Sequence, residues 1–197
     1  MASDTTRRLI LLRHAKSDWP DVPDRDRPLA KRGRRDAPRI GRWLHEHGYQ
    51  PDVVVCSAAR RTRQTWDLVA RELGGSPSVR FEPRAYAASA MTLLYLVQEL
   101  PSRYRTALLI GHNPGLSELA GQLAAPAEIG PQIGPQIGPE IGPEIGRVTD
   151  NGPRPEISLP TAAVAVLEFP GDWPSLTPGQ ARLIDTITPA ALHAGNQ

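Results

Sequence analysis

Two histidines each stand directly after a short apolar run. Leu9-Ile10-Leu11-Leu12 leads into Arg13-His14-Ala15, and Ala107-Leu108-Leu109-Ile110 leads into Gly111-His112-Asn113-Pro114. Neutral imidazole is a competent nucleophile toward phosphorus, and the N–P intermediate it forms is opened by water, so one hard displacement becomes two easier ones. Arginine matches a phosphoryl group in charge and offers planar, bidentate geometry that lysine lacks. Arg13 adjoins the first histidine, and Arg61 falls in the first turn of an expected helix, where free backbone N–H groups also favour anions. If Arg13, His14, Arg61 and His112 converge, His14 attacks, the two arginines clamp the phosphoryl oxygens, and His112 donates a hydrogen bond to an equatorial oxygen. No Asp/Glu/His cluster has the spacing of a metal site, so the chemistry is expected to need no metal.

The elements that must position these residues can be read from apolar periodicity. The runs at 9–12, 53–56 and 107–110 are short and uninterrupted, as in strands buried on both faces. A polar loop at 16–27, rich in Asp and Pro, is long enough to lie over the site. A helix is expected over about 29–47, ended by Gly48, with Pro38 implying a kink or a later start. Ser57 is placed to cap the next helix, from Arg60 to the Gly74-Gly75 stop. An extended piece at 77–83, a helix opened by Ser89 and stopped at Pro101, a helix through Leu116 and Leu123, and strands at 162–169 and 181–187 complete the order. This order predicts an α/β fold with a mostly parallel central sheet, helices on both faces and one antiparallel strand. In such sheets ligands bind at the carboxyl ends of strands, where both histidines sit.

The 197 residues suit a single domain, 1–197, carrying a low-complexity insert at about 126–156. The insert repeats Ile-Gly-Pro with Pro every fourth residue, which defeats helix and central strand alike. It is read as a loop, with a docking surface as the alternative. Net charge is +2, but residues 1–80 carry 17 Lys/Arg against 10 Asp/Glu and the remainder carry 6 against 11. Aromatic residues are few and not interleaved with the basic runs, which argues against nucleic acid. No apolar stretch is long enough to span a bilayer and the first residues do not read as a signal peptide, so a cytoplasmic protein is expected. Cys56, the only cysteine, excludes an internal disulfide and reads as a small buried residue. His45 and His47 read as exposed residues complementing a helix dipole rather than as metal ligands.

Taken in order, Arg13-His14-Ala15, then Asp26-Arg27-Pro28-Leu29 with Arg32-Gly33, then Ser57 with Arg61-Thr62-Arg63-Gln64-Thr65, then Gly111-His112-Asn113-Pro114, the chain resembles the histidine phosphatase superfamily. Within it the likeness is to the SixA-like phosphohistidine phosphatases. The resemblance implies a phosphoglycerate mutase-like fold with no large lid domain, and no cofactor. It implies that His14 is the phosphorylated nucleophile, His112 the second pocket histidine, and Arg13 and Arg61 the pocket arginines. Arg60 and Arg63 compete for the last role, but only Arg61 precedes the x-x-Gln-Thr pattern. Arg27 and Asn113 are expected to bind substrate. The implied partner is a phosphorylated protein of the histidine-phosphotransfer type, or a small phosphorylated substrate.

Two departures sharpen the reading. Ala15 stands where the superfamily usually has Gly. Many members also carry a glutamate general acid in the region that here reads Pro83-Arg84-Ala85-Tyr86-Ala87-Ala88, and no acid is present. Without one, an alkoxide leaving group forfeits a factor of about 10²–10⁴. Imidazole, with a pKa near ~6.5, departs neutral once its other nitrogen is protonated, so the missing acid agrees with a phosphohistidine substrate. Asp18 or Asp26 on the loop remains a possible proton donor. The rival readings are a broad-specificity phosphomonoesterase, a phosphoglycerate mutase-like enzyme, and a non-catalytic protein that binds a partner through the repeat.

Overall fold

In the computed structural model, which describes residues 6–125 and 155–194, every apolar run identified above lies in one sheet. Its strands are β1 (Thr6–Arg13), β2 (Val53–Ser57), β3 (Ser78–Glu82), β4 (Thr106–Gly111), β5 (Val164–Pro170) and β6 (Arg182–Ile187), in the spatial order β3-β2-β4-β1-β5-β6. The first four are mutually parallel, whereas β5 runs antiparallel to both its neighbours. One strand is therefore reversed, as expected. Burial on both faces explains the lack of polar alternation in β1: Leu9 and Leu11 join one core cluster, while Ile10 and Leu12 join the other.

Helices α1 (Lys31–Glu46) and α2 (Arg60–Leu73) cover the Ile10/Leu12 face, contributing Ile40, Trp43, Leu44, Trp66, Val69 and Leu73. Helices α3 (Ala90–Gln98) and α4 (Gly115–Leu123) cover the other face through Leu93, Leu96, Leu116 and Leu119. A short α5 (Pro189–Ala194) follows β6. The connections on either side of β3 span only residues 74–77 and 83–89, so no lid stands between α2 and α3. Among the described residues no helix is long and apolar enough to cross a membrane.

Three local expectations change. α1 begins at Lys31 and continues through Pro38, because the burial of Ile40, Trp43 and Leu44 beyond it outweighs one lost backbone donor. β5 begins at Val164 rather than 162: Ala162 has φ +60 and its N–H reaches the carbonyls of Arg13 and His14, both at 3.1 Å. That turn ties β5 to the end of β1. Ser57 is not the cap of α2; the N-cap is Ala59, without a side-chain hydrogen bond, and Ser57 is the last residue of β2. The Ile-Gly-Pro repeat lies outside the described residues.

Candidate active site

Parallel pairing of β1 with β4 sets Arg13 opposite Gly111, so the next residue of each strand is a histidine. The His14 N–H donates to the Gly111 carbonyl at 3.1 Å. The two rings lie with centroids 5.2 Å apart, tilted by 54°. Both are buried, at 8% and 6% exposure. His14 Nδ1 is 2.8 Å from the Ala15 carbonyl oxygen, which can only accept, so Nδ1 carries the proton and Nε2 keeps its lone pair. Burial pushes the imidazole down to about 4; the Ala15 bond opposes this, and the charges of Arg61, Arg13 and Arg27 reinforce it. At neutral pH His14 is therefore an uncharged base with a defined tautomer. The turn that holds it is fixed from α2: Ala15 N–H donates to Thr65 Oγ1 at 3.0 Å, and that hydroxyl donates to the Arg61 carbonyl at 2.7 Å.

His112 has the opposite tautomer. Its Nδ1 lies 3.3 Å from Arg61 Nη2, which can only donate, so Nδ1 accepts and Nε2–H faces Ser57 Oγ at 2.8 Å. Burial first, then the neighbouring His14 and Arg61, pushes this imidazole down to about 3. His112 thus accepts at the nitrogen beside Arg61. Donation from Nδ1 to a phosphoryl oxygen requires the other tautomer, with a proton gained at Nδ1 and one lost from Nε2 by exchange with solvent, and Ser57 suits both because its hydroxyl can either accept from Nε2–H or donate to bare Nε2.

Arg61 is buried, whereas Arg60 and Arg63 are exposed. The loop over the site holds Arg61 through Asp24: Nη1 donates to its carbonyl at 2.6 Å and Nη2 to Oδ2 at 3.0 Å. The same carboxylate accepts from Arg27 Nη1 at 2.8 Å and from the Tyr86 hydroxyl at 2.7 Å. Tyr86 also meets His112 edge-on. Arg27 is fully engaged, donating also to the Asp18 carbonyl and Ser17 Oγ, with its guanidinium stacked on exposed Trp19. Arg13 and Asn113 share one acceptor, the Leu159 carbonyl, at 3.0 and 2.9 Å, while Arg13 Nε and Asn113 Oδ1 are buried without a partner.

The geometry therefore gathers His14, His112 and Arg61 directly, and Arg13 joins through the same strand end. Arg27 enters the group through Asp24. Asp18 does not: it is exposed, and its Oδ1 accepts from the adjacent Trp19 N–H. The acid that reaches the pocket is Asp24. Together with Ser57, Thr65 and Tyr86 it completes the set that spacing alone did not single out. Cys56 is wholly buried with its thiol pushed up to about 12, as befits an inert core residue. Among the described residues no group of three or more His, Cys, Asp or Glu could hold a metal ion.

A family model for the histidine phosphatase superfamily (branch 1) matches residues 9–85. An uncharacterized protein of Mycobacterium tuberculosis strain H37Rv is 34% identical over 181 residues, covering 90% of this chain and 99% of that protein. Among solved structures, a candidate phosphohistidine phosphatase SixA from Nakamurella multipartitia superposes with a TM-score of 0.71 at 31% identity, over 93% of this chain and 96% of that one. A second, from Agrobacterium tumefaciens, gives 0.66 at 26% identity, over 92% and 97%. With two histidines after the carboxyl ends of adjacent central strands, Arg13 beside one of them and Arg61 on α2, and with this likeness over nearly its whole length, the chain belongs to the histidine phosphatase superfamily and is a SixA-like phosphatase.

Proposed function

We propose that the chain acts in the cytoplasm as one domain that removes the phosphoryl group from a phosphohistidine on another protein, with His14 as nucleophile. The observation that carries this reading is the contact of His14 Nδ1 with the Ala15 carbonyl, which puts the proton on Nδ1 and the lone pair on Nε2, in the field of Arg61 and Arg13. Nε2 attacks phosphorus while Arg61 and Arg13 balance a phosphoryl group of about two negative charges. His112, relayed by Ser57, supplies a further donor as charge spreads over the equatorial oxygens. In the second step water attacks the His14 phosphoryl group, and the P–N bond breaks with its electron pair returning to Nε2. Because Nδ1–H stays bonded to the Ala15 carbonyl, His14 leaves as neutral imidazole. The surplus water proton passes to solvent at the mouth. Asn113 acts by fixing the Leu159 carbonyl that holds Arg13, and Arg27 by holding Asp24.

The substrate class is supported by what surrounds the mouth. The acid that reaches the pocket, Asp24, is held ionised, which suits a leaving group that needs no proton from the enzyme. The short connections at 74–77 and 83–89 leave the pocket open to a side chain on a protein surface. The test is turnover of a phosphorylated histidine-phosphotransfer domain beside p-nitrophenyl phosphate, sugar phosphates and phosphoglycerates. The phosphohistidine protein should give the highest kcat/KM. Isomerisation of 3- to 2-phosphoglycerate, or faster hydrolysis of sugar phosphates, would overturn the proposal.

A further inference from the structure

The loop at 16–27 brings one carboxylate against a buried arginine of the site. Asp24 sits above Arg61, its side chain half-exposed while that of Arg61 is buried at 8% exposure. It is fixed there from three directions: Arg61 from α2, Arg27 from its own loop, and the Tyr86 hydroxyl from the segment after β3. Arg25 also lies over the Tyr86 ring, and His112 faces Tyr86 from the end of β4. Hydrogen bonds from Tyr86 and Arg27 and the charge of Arg61 outweigh partial burial and hold the carboxyl well below the usual carboxylate range. Such a group cannot serve as a proton donor to an alkoxide. It can accept a hydrogen bond, and it repels an anion.

We propose that Asp24 is a specificity-determining residue that accepts a hydrogen bond from the departing imidazole of a phosphohistidine substrate and disfavours phosphate esters whose leaving groups are anionic. This rests on the proposed phosphohistidine reading and names a residue that selects for it.

The balance of the first step shows why a carboxylate helps. In phosphohistidine one ring nitrogen bears phosphorus and the other carries a lone pair or a proton. When protonated, the ring is cationic. His14 Nε2 then forms its bond to phosphorus, the substrate P–N bond breaks with its electron pair going to the ring nitrogen, and neutral imidazole departs with the proton still on its distal nitrogen. A carboxylate facing that N–H favours the protonated, reactive form. The Ala15 carbonyl holds Nδ1–H of His14 in the same way, at 2.8 Å, for the second step. Both imidazoles that must leave phosphorus thus have an oxygen acceptor for the nitrogen that stays protonated. An aryl or alkyl oxygen leaving group has no proton to offer Asp24, and developing negative charge there meets a fixed one.

The test compares Asp24→Asn with wild type on free N-phosphohistidine and on p-nitrophenyl phosphate. The near-isosteric amide removes the charge. The kcat/KM for phosphohistidine should fall about 10-fold or more, the worth of a hydrogen bond to a charged group. That for p-nitrophenyl phosphate should rise. Opposite shifts cannot come from a damaged loop, which would lower both. A parallel fall on the two substrates, or an unchanged phosphohistidine rate, would overturn the role of Asp24. If wild type hydrolyses p-nitrophenyl phosphate but not phosphohistidine, the substrate reading itself fails, and wild type alone reveals it.

Discussion

Acidification from about pH 7.5 to about pH 5 should cost this protein roughly 4 kcal/mol of folding stability through the two site histidines. Both are buried and neutral in the folded chain, with imidazoles near 4 for His14 and near 3 for His112 against an ordinary 6.5. Between the folded and unfolded values only the unfolded chain binds the protons, so stability falls as pH falls through that window. At about pH 5 each histidine is still neutral when folded and almost wholly charged when unfolded, which is worth about 2 kcal/mol apiece. That is a large share of a typical total of ~5–15 kcal/mol. Asp24 has linkage of the same sign at lower pH: its folded value is also depressed, so its contribution is present above the ordinary carboxylate range and is lost only at more acidic pH. The interval from about pH 7.5 to about pH 5 lies above that loss, so the histidines dominate it. Urea titrations followed by tryptophan fluorescence, in buffers free of phosphate and sulfate so that no anion stabilises the folded site, measure the effect. His112→Gln should remove about half of the loss between the two pH values, and His14→Gln with His112→Gln nearly all of it. A midpoint that does not move with pH in wild type, or a pH dependence that survives in the double variant, would refute the buried, neutral pair.

Arg61→Lys should lower kcat/KM by about 10²-fold or more, because an ammonium keeps the charge but cannot span a phosphoryl group and the Asp24 carbonyl together; steady-state kinetics checks it. Gly33→Ala should destabilise the fold by at least ~1–3 kcal/mol. Its Cβ would stand 2.2 Å from the Lys16 carbonyl oxygen, a backbone atom two residues beyond His14, so the melting temperature and the activity should fall together. Ser57→Ala leaves the buried Nε2–H of His112 without its partner and blocks the change of tautomer. It should lower kcat about 10-fold with a smaller effect on KM.

The frame of the protein was legible because the strands are buried on both faces. Runs such as 9–12 and 107–110 cannot alternate when Leu9 and Ile10 enter different core clusters, and a continuous apolar run bounded by polar residues reads as such a strand. Pairing of β1 with β4 then brings two strand-end histidines together without any further signal. Readings that failed were those in which a short-range rule met a long-range partner. Ser57 has the type and place of a helix cap, but its hydroxyl is taken by His112, 55 positions away. Asp18 and Asp26 are the loop acids considered from sequence, yet the fold of residues 16–27 brings Asp24 to Arg61, and nothing in spacing separates the carboxylates of one loop. Tyr86 lies in the segment where many superfamily members carry a glutamate; its role follows from reaching across to Asp24. Ala162, at positive φ, gives no sign of its turn because the residue is not glycine.

The central claim is that His14 Nε2 forms a covalent bond to phosphorus. Rapid mixing with ³²P-labelled phosphohistidine protein, quenching in alkali and peptide mapping test it directly. The account predicts acid-labile, alkali-stable label on His14 in wild type, and none in His14→Ala, which should also have lost turnover. Label on another residue, or a His14→Ala variant that still dephosphorylates the substrate, would contradict it.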